Sequence, residues 1–257
     1  TVALRDSHFE QPAGSGILAT MLHYFSHMLC LIPAMLLFST LPPLAQAQVI
    51  KSGQASCQAV ALTFDLCPVQ KGAGYDQALI DYLIEQKIPA TFFMSGKWIA
   101  KHDQQVQALL KVPFFEVGTH GEVHAHLPLH SAEEQQQEIL GPVHLLKTKY
   151  SHKTTLFRPP YGEFNDDTVN VVRNLGFRFI LWDVVSGDPD PMITAAQIEH
   201  RLKRRIKKGS IVVMHANGKG QHTREVVQHL HEQLLPERQL APKTVSDLLL
   251  CNGLPQP

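Results

Sequence analysis

Charge of one sign is the first thing this sequence lacks. Lysine plus arginine and aspartate plus glutamate each number 23 in 257 residues. No strong net field therefore selects nucleic acid or an anionic membrane surface, and neither is an expected partner. The one basic run, "RLKRRIKKG" (Arg201–Gly209), precedes an apolar segment and reads as the solvated face of a helix. Internal repeats and low-complexity tracts are missing too, which excludes solenoid and fibrous architectures. No apolar run reaches the roughly 20 residues that a bilayer-spanning helix needs. With 44% hydrophobic and 18% charged residues, the composition is that of one ordinary, sizeable globular domain.

Cysteine is scarce. Cys30 falls in an N-terminal leader, which leaves Cys57, Cys67 and Cys251, an odd number that requires one free thiol. Cys57 and Cys67 flank an extended segment that holds them too far apart to bridge. Cys57 with Cys251 would staple the two ends of the domain.

The leader is residues 1–47. In it "MLHYFSHMLCLIPAMLLFSTLPPLAQAQ" offers an apolar run from Met28 to Phe38 and a small-residue site at Ala45-Gln46-Ala47. That is a secretory signal pattern, although its n-region carries no lysine or arginine. Cleavage is expected after Ala47, giving an exported protein, periplasmic or extracellular, with no stable membrane insertion once the signal is removed. Residues 48–257 then form the catalytic domain.

What is present is alternation. Apolar, β-rich runs occur at Val60–Phe64, Ala90–Met94, Phe114–Val117, Thr155–Phe157, Phe179–Leu181, Ile211–Met214 and Lys243–Val245. Helical patterns lie between them. Tyr75, Ala78, Leu79, Tyr82 and Leu83 mark one face of a 3.6-period helix. Ser131 with Glu134 and Thr194 with Gln197 form capping boxes, Asn165 is a third cap, and Gly176 is a helix stop. About seven such units predict an α/β fold, a distorted (β/α)-barrel with about seven parallel strands; an open doubly wound sheet is the alternative.

Chemistry collects where such a fold would gather it, just after the strands. Asp65 ends "LTFDLCP". "GTHGEVHAHLPLH" brings His120 and His124, with Glu122, His126 and His130 as further candidates. "RPPYG" brings Arg158, Pro160 and Tyr161, "WDVVSGDPDP" brings Trp182 and Asp188, and "IVVMHANG" ends on His215. An acid at a strand end is most often a turn or capping residue. Five strand ends of seven carrying such groups is a pattern that a plain core does not need. Two imidazoles four apart on a loop can converge on one ion such as zinc. Asn217 and His222, in the Gly-rich continuation "NGKGQHT", border the cleft or cap the helix that follows.

Taken in order, "LTFD", "ATFFMSGKW", "GTHGEVH", "RPPYG" and "IVVMH" resemble the polysaccharide deacetylase family, carbohydrate esterase family 4, over about residues 57 to 250. The resemblance implies a distorted (β/α)-barrel and metal-dependent hydrolysis of N-acetyl or O-acetyl groups on a glycan such as peptidoglycan or a chitin-like oligosaccharide. It implies Asp65 as catalytic base, Arg158 orienting it, His215 as general acid and Asp188 orienting that. Tyr161, Pro160 and Trp182 would bind substrate. His120 and His124 would bind a divalent metal, zinc first, with cobalt or another divalent ion also possible.

The sequence departs from the pattern at Leu66, where the family has an aspartate as third metal ligand. Pro189 and Val213 also replace residues that usually shape the acetyl pocket. Three arrangements are open. Two histidines with waters, and Asp65 as a direct ligand, could hold the metal. A replacement such as Cys67 or Glu122 could complete it. The chain could instead be a degenerate relative that binds glycans without turnover.

Overall fold

The computed structural model describes residues 49–251. The expected leader over 1–47 lies outside the described residues, as does Cys30. Nine strands form one curled, wholly parallel sheet: β1 (Val49–Ile50), β2 (Ala59–Leu66), β3 (Ala90–Met94), β4 (Phe115–Thr119), β5 (Leu156–Phe157), β6 (Arg178–Ile180), β7 (Val184–Val185), β8 (Ile211–His215) and β9 (Ala241–Lys243). Their order across the sheet is β1-β6-β5-β4-β3-β2-β8-β7, with β9 paired to the first half of β2. This is the expected α/β distorted barrel, with two strands more than expected.

The two extra strands, β1 and β7, are two-residue pairings on β6 and β8. The expected strand at Lys243–Val245 sits two residues earlier. Thr244 accepts the backbone N–H of Asp247, so Val245–Leu250 forms a helix instead. The three caps behave as their chemistry requires. Ser131, Asn165 and Thr194 each close a capping box at the starts of helices Ala132–Tyr150, Asp166–Asn174 and Ala195–Arg205. The last of these carries Lys203, Arg204 and Arg205 on its exposed face, as the basic run predicted.

Strand β2 organises the molecule, because its side chains alternate between two layers. Val60, Leu62, Phe64 and Leu66 face the helices and pack with Leu79, Leu83, Ile198, Leu202, Val226 and Val227. Ala59 and Ala61 face the interior of the curl, where they meet Phe93, Leu156, Ile180 and Ile211. Val245 and Leu248 of the last helix join this inner cluster at the amino ends of the strands. Cys57 and Cys251 are joined there by a disulfide with a Cα–Cα distance of 5.7 Å. The inner cluster leaves the carboxyl ends of the strands open, and that is where the polar groups stand. No helix among the described residues is long and apolar enough to cross a membrane.

Candidate active site

Asp65 is the interior-facing residue one step past Thr63 on β2, and it is almost fully buried. A lone buried carboxylate would be protonated. Burial does push Asp65 up, but Arg158 first, then His120 and His215, more than offset it and hold its carboxyl below the usual range. Arg158 Nη1 donates to Asp65 Oδ1 at 2.8 Å, and Nη2 donates to the Leu181 carbonyl at 3.3 Å. The guanidinium lies 4.0 Å from the Phe93 ring centroid and 5.3 Å from that of Trp182. It is fully buried in this aromatic slot, so its aim is fixed.

Strand β8, paired directly to β2 with His215 in register with Asp65, delivers this histidine with Nδ1 3.0 Å from Asp188 Oδ1. Burial pulls this imidazole down, but the hydrogen bond and charge of Asp188, with help from Asp65, raise it above its ordinary value. Asp188 is itself heavily supported. Oδ2 accepts from the His215 backbone N–H at 2.7 Å and from Thr223 Oγ1 at 2.8 Å, and Oδ1 accepts from Ser186 Oγ at 2.9 Å.

The two histidines come from the loop after β4. Gly121, at φ 71°, turns the chain between them in a conformation few other residues adopt. His120 Nδ1 is bound to the Arg158 carbonyl at 2.9 Å, which leaves Nε2 facing Asp65 Oδ2 at 3.7 Å. His124 takes a left-handed backbone at φ 67°, a strained conformation costing roughly 1–2 kcal/mol. Burial first, then His120, push its imidazole down to about 3, so it is neutral, the form that binds metals. His120 is lowered too, chiefly by burial.

Asp65, His120, His124, Asp188 and His215 share one cavity of about 290 Å³, lined also by Cys67, Tyr161, Trp182, Val185, Val213 and Lys219. Tyr161 is positioned by a second strained backbone, φ 60°, and its ring stacks on His126 at 4.1 Å. In this turn Gly162 and Glu163 donate their N–H groups back to Pro159 and Pro160, whereas the Tyr161 N–H donates to neither.

Not every expected residue arrives. Pro160 is buried against Gly121 and does not line the cavity. Glu122 turns into the space between Gly96 and Gly141, held off the pocket, and so is no ligand here. His126 pairs with Glu163 at 2.7 Å, His130 with Glu134 at 3.5 Å and His222 with Glu225 at 3.6 Å. Asn217 reaches the site indirectly, donating to the Cys67 carbonyl at 3.1 Å. Ser186, Thr223 and Lys219 were not foreseen. Hydroxyls that brace a carboxylate carry no sequence signature, and one lysine in a glycine-rich loop reads as surface.

The residues present fit a divalent metal. Cys67, His120 and His124 each offer a donor atom, and all three atoms lie within 4.8 Å of one another. Among the described residues this is the one such cluster of three.

A buried carboxylate and a carboxylate-held imidazole sharing one pocket are an arrangement suited to acid–base chemistry. The chain belongs to the polysaccharide deacetylase family, whose model matches residues 52–180. It is 30% identical over 163 residues to a peptidoglycan-N-acetylglucosamine deacetylase of Bacillus cereus, spanning 62% of this chain and 73% of that one. It is 26% identical to a chitooligosaccharide deacetylase of Sinorhizobium fredii, over 61% of this chain and 71% of the relative. Among solved structures, the peptidoglycan deacetylase PdaC of Bacillus subtilis matches with a TM-score of 0.63 at 25% identity, covering 76% of this chain and 91% of that one. A pseudoenzyme of carbohydrate esterase family 4 from Bacillus anthracis shares the fold, with a TM-score of 0.71 at 24% identity over 79% and 69% of the two chains.

Proposed function

We propose that this protein is an exported, metal-dependent carbohydrate deacetylase that hydrolyses N-acetyl groups of a glycan such as peptidoglycan or a chitin-like oligosaccharide. The observation that carries the reading is that one cavity holds, in register on adjacent strands, Asp65 bound by Arg158 and His215 bound by Asp188. A bound divalent ion, held by His120 and His124, would polarise the acetyl carbonyl and acidify the attacking water. The chain's own groups supply the rest. Asp65, oriented by Arg158, takes the water's proton. The Tyr161 N–H donates to the developing oxyanion. His215, oriented by Asp188, gives its proton to the leaving nitrogen. Trp182, Val185 and Val213 supply apolar surface for the acetyl methyl.

The relatives that act on peptidoglycan and chitooligosaccharides support the glycan class. The disulfide supports export, because such bonds persist in oxidising compartments, and residues 1–47 are the proposed signal. The test is acetate release from N-acetylglucosamine oligomers by the purified, metal-supplied protein. Release is expected from the native chain and abolished in His215→Ala. Unchanged release in that variant would overturn the mechanism. A second reading, glycan binding without turnover, draws on Leu66 standing where the family has a ligand. It predicts oligomer binding with no acetate under any metal supplement.

A further inference from the structure

We propose that the third protein ligand of the metal is Cys67, so that its thiolate, His120 and His124 form a Cys-His₂ site with an open position for water. This rests on the metal dependence in the reading above.

The argument begins with strand parity. Along β2 the residues at 60, 62, 64 and 66 face the helices, while 59 and 61 face the interior of the curl. Thr63 and Asp65 continue the interior series, and Cys67, the first residue beyond the strand, follows at the same spacing. Leu66 therefore belongs to the apolar layer, where it is fully buried. In this chain position 66 is an apolar side chain turned to the helices, and position 67 carries a donor atom that groups with those of the two histidines.

Three further features fix the thiol in place. Ser95 donates from both N and Oγ to the Leu66 carbonyl, at 3.2 and 3.3 Å. Asn217 holds the Cys67 carbonyl from the other side. Pro68 has no N–H to extend the ladder, so the chain leaves the sheet at the pocket rim. Cys67 is 2% exposed and takes no part in the disulfide. Its sulfur lies in the same 4.8 Å group as the donor atoms of His120 and His124. His120 is already oriented by the Arg158 carbonyl, the outer support that metal-binding imidazoles need. Burial by itself favours the neutral thiol, and coordination to a divalent ion reverses that preference. A thiolate with two imidazoles suits zinc or cobalt and disfavours magnesium, calcium and manganese.

The experiment titrates the full chain with Co²⁺ and follows its absorption spectrum, then measures Zn²⁺ affinity by chelator competition. A sulfur-to-cobalt charge-transfer band is expected in the native protein and absent in Cys67→Ser. Zinc affinity is expected to fall by roughly 10- to 100-fold or more in that variant, the loss already typical of an outer-shell change. Melting of the metal-stripped forms shows whether Cys67→Ser folds. Should it not fold, the band in the native chain and its loss in His124→Ala decide the matter. A native protein that binds cobalt without the band, or a folded Cys67→Ser with native zinc affinity, overturns the thiolate ligand and leaves the deacetylase reading standing. A native protein that binds no ion, yet releases acetate in the presence of chelator, overturns the metal dependence itself.

Discussion

Asp65 and Asp188 are two buried carboxylates in one cavity, and their surroundings are opposites. Asp188 is saturated: two hydroxyls, a backbone N–H and an imidazole occupy its oxygens. Asp65 accepts one hydrogen bond, from Arg158, and its second oxygen faces the cavity with His120 Nε2 3.7 Å away. A carboxylate with every lone pair engaged can only position a neighbour, whereas one with a free oxygen can accept a proton. In the proposed mechanism this contrast is what separates the orienting group from the base between two chemically identical side chains.

The comparison can be broken most sharply at Asp65. Asp65→Asn removes the base and is expected to lower acetate release by about 10²–10⁴-fold. The same change strands the Arg158 cation inside the protein, so denaturant titration should show a loss of about 3–5 kcal/mol.

Asp188→Asn tests the other half through pH. The active form needs His215 protonated, and Asp188 is what lifts it above its ordinary value against burial. Without that lift, the alkaline limb of kcat/KM moves to lower pH, with activity falling about tenfold for each unit of pH beyond it. An unshifted limb would show that His215 is not the acid.

The disulfide lies outside the comparison and should leave both carboxylates unmoved. Its reduction, or Cys57→Ser with Cys251→Ser, is expected to cost about 2–5 kcal/mol in thermal or denaturant unfolding. The pH profile of the folded fraction should not change. Thr223→Val is the smallest step. Removing one of the donors to Asp188 is expected to cost about 0.5–1.5 kcal/mol of stability, with a slight downward movement of the same alkaline limb.

The six residues expected to do the chemistry (Asp65, His120, His124, Arg158, Asp188 and His215) were legible because the segments that carry them come after β-rich runs and resemble the family's motifs in order, and parallel strands deliver their ends to one place. Five of them line one cavity, and Arg158 stands directly behind Asp65. Strands β1 and β7 were not legible, since two residues carry no period and pair only because β6 and β8 offer an edge. The neighbours of His124 stayed open candidates for a similar reason. Glu122, His126 and His130 share its composition, but only the backbone turn at Gly121 and the strained φ of His124 decide which side chains enter the pocket. Cys67 stood as one alternative among several until the alternation of β2 placed Leu66 on the other face.

The bond between Cys57 and Cys251 also has a mechanical meaning. With a sequence separation of 194, it closes eight of the nine strands and every site residue inside a covalent ring. Tension applied at the two ends of the chain would travel through the sulfur bridge and bypass the barrel. Among the described residues that precede Cys57, the edge strand β1, held by two residues of pairing to β6, and the Ser52–Ser210 bridge beside it lie on the path of that tension. A pulled molecule would shed this edge strand first and keep its catalytic mouth assembled.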